Sequence, residues 1–298
     1  MKMIWKRFVA VSFVIWVLLA ACLLDVALSI WKPVERSTLF VKNDYEKIVL
    51  SHGGNTSFDR AFWGNSVLIS AFREDLSNSG YANVGIVYGT VTDLEAMLEK
   101  NYLTVNQDLV VMLNYFTLLD TMETNPTYPW HRGSLEPYCY FQRDRIQSFV
   151  MRAIDEVLLG QASNGLSRFS DLGRAVCYGS MTDEELEERI AVHKEAYWWQ
   201  DLSHYQKNLK ALEQVVAFCE EQGIRLRVVF APWNNYIPMP EYPKEAMEAA
   251  REICKEQDIE VLDLTDAFSR DCFYDLGHFN YEYGAVRFTE EIDLWLNS

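Results

Sequence analysis

Three short runs of apolar residues restrict this chain more than anything else in it. Leu109-Val110-Val111-Met112-Leu113, Leu226-Arg227-Val228-Val229-Phe230-Ala231 and Ile259-Glu260-Val261-Leu262-Asp263-Leu264 are each too short for a helix that must bury itself. A continuous apolar run of this length is what a parallel strand shows when both faces of its sheet are covered. The second and third runs follow helical stretches with similar phrasing, Cys219-Glu-Glu-Gln-Gly-Ile224 and Cys254-Lys-Glu-Gln-Asp-Ile259. Helices alternating with buried strands imply an α/β domain built on a doubly wound parallel sheet with helices on both faces, a three-layer arrangement. In such sheets, sites form beyond the carboxyl ends of the strands. Ser66, Gly89, Asn114 and the loop Asp275–His278 are all expected at such ends.

The N-terminus is of another kind. Phe8 to Leu24 is 17 residues without a charge, and the apolar stretch resumes after Asp25 as far as Trp31. About 20 apolar residues cross a bilayer core. Lys2, Lys6 and Arg7 precede the run, which by the positive-inside rule leaves the N-terminus in the cytoplasm and the rest of the chain outside. The expected organisation is a membrane anchor over residues 1–34 and an extracytoplasmic domain over 35–298. Asp25 is costly in lipid unless paired or near an interface, so it marks either a contact with a neighbouring helix or the outer headgroup level. A competing reading takes Leu19-Ala20-Ala21-Cys22 as a lipobox, with Cys22 lipidated after cleavage. The apolar residues that continue past Cys22 favour the uncleaved anchor.

Composition narrows the partners. The 298 residues carry a net charge of −16, and residues 1–34 contribute +3 of it, so the remainder stands near −19. So acidic a domain argues against nucleic acid. Five of the six cysteines lie beyond the anchor, an odd number. Cys219 and Cys254 fall on apolar helix faces and read as core, whereas Cys139 and Cys177 are candidates for a pair. No Cys-x-x-Cys and no cluster of histidines points to a metal, and no cofactor motif is present.

Residues 115–205 show no clear strand and read as a helical insertion beside the site. Ile146, Phe149, Val150, Ile154, Val157 and Leu158 have helical spacing over 143–159. Thr182 with Glu185 reads as a capping box opening the next helix. Trp130, Trp198, Trp199 and Trp233 are core packing or the lining of a sugar or acyl pocket.

The chemistry points to two separated segments. Phe62-Trp63-Gly64-Asn65-Ser66 offers a serine in a turn, and Asp275-Leu276-Gly277-His278 offers a histidine with a carboxylate three residues before it. A serine hydroxyl is a weak nucleophile at neutral pH and needs an imidazole within hydrogen-bond reach, which in turn needs a partner to fix its tautomer. Ser66 as nucleophile, His278 as base and Asp275 as its orienting group make a complete set. His131, in the loop Pro129–Gly133, is the rival base.

These motifs resemble the SGNH (GDSL-type) hydrolase superfamily. Gly64-Asn65-Ser66 is similar to its first block, and Asn83-Val84-Gly85-Ile86-Val87-Tyr88-Gly89 to its second. Asp275-x-x-His278-x-Asn280-x-x-x-Gly284 is similar to its last. The third block, commonly Gly-x-Asn-Asp, is represented only by Leu113-Asn114-Tyr115-Phe116. The strand expected before Ser66 is interrupted by Asp59-Arg60. The likeness spans about residues 59–298 and implies a flavodoxin-like α/β fold. It also implies an oxyanion hole from the N–H groups of Ser66 and Gly89 and the amide of Asn114. Length and topology further resemble the D-alanyl transfer family of teichoic acid D-alanylation systems. That resemblance implies O-acyl transfer (D-alanyl or acetyl) on a cell-envelope polymer beside a multi-pass membrane O-acyltransferase, with a basic cluster such as Arg143, Arg145 and Arg152 meeting an anionic polymer. A plain esterase or lipase and a non-catalytic scaffold with the same fold are the alternatives.

Overall fold

The computed structural model describes residues 2–33, 40–131, 140, 143–160, 167–168 and 176–298. The chain forms two compact units, one of residues 1–43 and 126–172 and the other of 44–125 and 173–298. The units do not follow the linear boundary at residue 34, because part of the 115–205 segment packs with the N-terminus.

In the first unit, helix α1 (Lys2–Trp31) leads to strand β1 (Phe40–Val41). Helix α6 (Asp144–Ile154) is extended by a single π-helical turn over Asp155–Leu159 and is followed by strand β5 (Ser167–Arg168). β1 and β5 pair antiparallel, Phe40 opposite Arg168 and Val41 opposite Ser167. In α1, Val11–Trp31 is a 21-residue stretch of mean hydropathy 2.6, none of it buried in the protein. At 1.5 Å per residue it is about 31 Å long, enough to cross a bilayer core. The Asp25 carboxylate accepts the backbone N–H of Tyr140 at 3.1 Å, so a partner for it exists within the chain.

The second unit runs α2 (Asp44–Ser51), β2 (Ser57–Trp63), α3 (Ser66–Ala71), β3 (Ala82–Asn83), α4 (Val91–Glu99), β4 (Thr104–Leu113) and α5 (Tyr115–Leu118). It continues with α7 (Asp183–Ala196), α8 (Gln206–Gln222), β6 (Arg225–Phe230), α9 (Glu241–Glu256), β7 (Glu260–Asp263) and α10 (Gly284–Leu296). The five strands β2, β3, β4, β6 and β7 form one sheet in the order β3-β2-β4-β6-β7, and every pairing is parallel. This is the flavodoxin-like doubly wound order, whose switch point lies between β2 and β4. The α/β expectation therefore holds.

Burial explains which strands the sequence announced. Leu109 to Leu113 in β4 and Val228 to Phe230 in β6 are fully buried between helical layers. β7 is the last strand of the sheet, and its Val261 is 38% exposed; the third apolar run is an edge strand. β2 is a full strand in spite of Asp59 and Arg60, contrary to expectation. Both lie in its exposed first half, where the register with β4 shifts between Phe58 and Arg60, and only Ala61–Trp63 enters the core. Arg60 discharges a guanidinium N–H onto the Ser79 carbonyl at 3.1 Å.

Candidate active site

β2 ends at Trp63 and α3 begins at Ser66, with only Gly64 and Asn65 between. A Cβ on Gly64 would lie 2.9 Å from Leu68 Cβ and 3.3 Å from Met112 Cβ. Glycine is what lets the strand turn this tightly into the helix. Asn65 is the N-cap of α3, its side chain accepting the Val67 N–H at 3.0 Å. Ser66 is thus the first helical residue, where a backbone N–H has no intrahelical acceptor.

The loop 271–284 carries the other half of the site. Asn280 braces it: its side chain donates to the Asp271 carbonyl at 2.6 Å and accepts the N–H of Gly284 at 2.8 Å. A Cβ on Gly284 would collide with the Cys272 carbonyl. Asn234, just after β6, adds a bond to the Asp275 carbonyl at 2.8 Å. So held, His278 places Nε2 2.9 Å from Ser66 Oγ and Nδ1 2.9 Å from Asp275 Oδ2. A neutral imidazole with its proton on Nδ1 donates to Asp275 and accepts from the serine hydroxyl.

Asp275 is 5% exposed. Burial alone would raise its carboxyl. The His278 ring and the N–H groups of Gly277 at 2.9 Å and His278 at 2.8 Å outweigh burial and hold it well below the usual carboxylate range. It is an anion at any pH near neutrality, with its lone pairs taken up by fixed donors.

Asn114, the N-cap of α5 at the end of β4, reaches the same cleft. It makes a reciprocal amide pair with Asn65: Asn65 Nδ2 donates to Asn114 Oδ1 at 3.1 Å and Asn114 Nδ2 to Asn65 Oδ1 at 3.0 Å. Asn114 Oδ1 also accepts the Thr117 N–H at 3.0 Å. The pair ties the turn after β2 to the turn after β4 across the switch point and leaves Asn114 one amide N–H.

Gly89 does not join them. Its N–H is bound to the Ile86 carbonyl at 3.1 Å, closing a turn, and a Cβ there would strike the Ile86 side chain. The cleft wall at this point is Val87 and Tyr88. Tyr88 holds a left-handed φ of 56° and is 57% exposed, a conformation costly for a non-glycine residue. The Val87 N–H is taken by Asp44.

The cleft has a volume of about 660 Å³. One wall is aromatic and escaped sequence reasoning: Tyr115, Phe116, His193 and Tyr197, with Trp233 beside them. Tyr115 OH accepts the Trp198 indole N–H at 3.2 Å and lies 3.3 Å from His193 Nδ1. Burial, with Arg189 nearby, lowers the His193 imidazole to about 4. The signal for this wall was the spacing of Arg189, His193 and Tyr197, four residues apart, which puts the first two on one face of α7 and the third at its C-cap. Arg189 lines the cleft and forms no ion pair among the described residues.

Of the tryptophans, Trp233 lines the cleft, Trp198 packs behind it, Trp199 is exposed against His204, and Trp130 belongs to the other unit. His131 also belongs to the other unit, in a 3-10 turn over Pro129–His131. Arg143 is buried with its guanidinium over the Tyr140 ring, so it is not an exposed cation for a polymer. The side chains of Arg145 and Arg152 lie outside the described residues. Cys177 carries a free thiol, which removes the Cys139–Cys177 pair, and Cys139 lies outside the described residues. Cys219 and Cys254 are buried in α8 and α9.

No protein-family model matches the chain, and neither does any curated relative. Among solved structures it is similar to an acetyl xylan esterase, at 11% identity and a TM-score of 0.39, over 79% of this chain and 98% of that one.

Proposed function

We propose that this chain is a serine esterase or acyltransferase of SGNH type, held at the outer membrane face by α1. The observation that carries the proposal is the continuous chain of contacts from Ser66 Oγ through His278 to Asp275, at 2.9 Å and 2.9 Å. Its place at the switch point of the sheet supports the reading, as does the cleft that opens on it.

In this mechanism Ser66 Oγ attacks the acyl carbonyl as its proton passes to His278 Nε2. Asp275 stabilises the imidazolium that forms. The Ser66 N–H and the free N–H of Asn114 face the developing oxyanion. Collapse expels the first alcohol, which takes the proton from His278 and leaves the acyl group on Ser66. A second hydroxyl then gives its proton to His278 and attacks the ester. The acyl group leaves with it, and the proton returns to Ser66. Water as the second acceptor gives hydrolysis, and a bound polymer hydroxyl gives transfer.

The finer reading is transfer of an O-acyl group, D-alanyl or acetyl, on a cell-envelope polymer such as teichoic acid, beside a multi-pass membrane O-acyltransferase. Arg189, on the cleft wall beside Glu185 and Glu188, is the cation there that an anionic chain would meet. The test is turnover of p-nitrophenyl acetate. An initial burst of nitrophenol stoichiometric with protein, absent from Ser66→Ala, is expected. Equal slow release by both proteins would rule the mechanism out.

A further inference from the structure

The helix α6 and the turn that continues it carry an apolar face that is uncovered among the described residues. Val150, Met151, Ile154, Val157 and Leu158 are all exposed, Val157 at 80% and Leu158 at 73%. Val150, Met151 and Ile154 share one side of α6, and Val157 and Leu158 extend the exposed apolar surface in the π-helical turn that continues it. The start of the helix is different: Arg143 and Ile146 are buried, so α6 is rooted in its unit and presents its second half outward.

The segment that bears α6 is tied to the end of α1 at both sides. Before α6, the Tyr140 N–H bonds to Asp25 at 3.1 Å. After it, β5 pairs with β1, which follows α1 by a few residues. The Asn43 side chain adds bonds to Thr127 at 2.9 Å and 3.1 Å. The uncharged run Phe8–Leu24 gives about 26 Å of helix at 1.5 Å per residue, nearly the thickness of a hydrocarbon core. A core crossed from Phe8 rather than from Val11 puts Asp25 at its far boundary, with Val26–Trp31 beyond it, and Tyr140, bonded to Asp25, stands at that level. Four residues later α6 begins.

We propose that α6 lies in the outer interface of the membrane that α1 crosses, with Val150, Met151, Ile154, Val157 and Leu158 among the acyl chains. This is a second, in-plane contact that fixes the unit on the lipid surface. It rests on the reading of α1 as a membrane span. The charged residues of α6 and its last turn are Asp144, Arg145, Arg152, Asp155 and Glu156, two basic and three acidic. Interfacial helices that depend on anionic lipid are rich in Lys and Arg. The attraction here is apolar, so zwitterionic lipid suffices and salt does not release it.

The test uses the full chain with Cys22, Cys139 and Cys177 changed to Ser, reconstituted alone in phosphatidylcholine vesicles. A nitroxide is attached at one new cysteine at a time: Leu158→Cys on the apolar face, Glu156→Cys on the other face, and Val17→Cys within α1. Collision rates with oxygen, which partitions into lipid, and with an aqueous nickel chelate give the depth of each label. The expected result is that Leu158 and Val17 labels lose their nickel collisions and gain oxygen collisions, while the Glu156 label does the reverse, in low and high salt alike. Nickel access at Leu158 equal to that at Glu156, with Val17 still in lipid, overturns the proposal and leaves the anchor standing. Nickel access at Val17 overturns the anchor and the proposal together. Dipolar broadening at Leu158 would assign the face to a second copy of the chain and also overturn it.

Discussion

Ser66 and His278 are separated by 212 positions in the chain, and Ser66 Oγ lies 2.9 Å from His278 Nε2. Neither residue reaches toward the other through a flexible loop. Ser66 is the first residue of a capped helix, and His278 is in a loop braced by Asn280 and Asn234. The contact is therefore built before any substrate arrives.

Removing the base or its orienting group should show this. His278→Ala is expected to slow acyl-enzyme formation by about a million-fold. Asp275→Asn is expected to cost about 10,000-fold, because an amide no longer holds the required tautomer. His131→Ala should leave the rate unchanged. Single-turnover kinetics on an activated ester separate the three, and a dead His131→Ala with an active His278→Ala would reverse the assignment.

The oxyanion donors differ in kind. Asn114→Ala is expected to lower kcat by about 100- to 1000-fold. Gly89→Ala should act on stability instead, since its N–H is bound to Ile86 and the new methyl would meet the Ile86 side chain. Overpacking of this kind costs about 1–3 kcal/mol. Thermal melting and kcat measured on both variants should move in opposite patterns; a catalytic defect in folded Gly89→Ala would return Gly89 to the hole.

The half-buried His193 sets a pH dependence of stability. Its imidazole is lowered from the ordinary 6.5 to about 4, first by burial. As pH falls below about 6.5 the unfolded chain takes up a proton that the folded chain refuses until about 4. Stability contributed by neutral His193 is thus full above that window and is lost progressively on acidification through it. Melting temperatures from pH 7 to pH 4 should fall less steeply for His193→Gln than for the parent. Parallel slopes would show that His193 does not carry the effect.

Much of this was legible beforehand, and the exceptions have physical causes. The runs in β4 and β6 spoke plainly because both faces of those strands are covered. β2 was obscured because only Ala61, Phe62 and Trp63 enter the core. The serine and the Asp-x-x-His quartet could be read because their neighbours in sequence make the turns that hold them. Gly89 was expected in the oxyanion hole, whereas its N–H is bonded to Ile86, because the direction of an N–H depends on turn geometry that a resemblance between motifs does not carry. The aromatic wall joins α5 to α7, and the pairing of β1 with β5 joins segments more than a hundred residues apart with two residues each. Such juxtapositions leave almost no trace in a linear pattern.

The anchor has its own test. Cys22 is exposed on α1, and the helix continues without a break to Trp31. The intact mass of membrane-extracted protein should retain the N-terminal residues, and Cys22→Ser should stay in the membrane fraction. A species beginning at Cys22 with added acyl mass would establish a lipoprotein instead.

The central claim is that Ser66 is a nucleophile activated by His278. The most direct measurement is the mass of the protein after treatment with a fluorophosphonate, followed by peptide mapping. The account predicts one adduct, on the peptide containing Ser66, absent from Ser66→Ala and strongly slowed in His278→Ala. An adduct that persists in Ser66→Ala, or none on the folded parent protein, would contradict it.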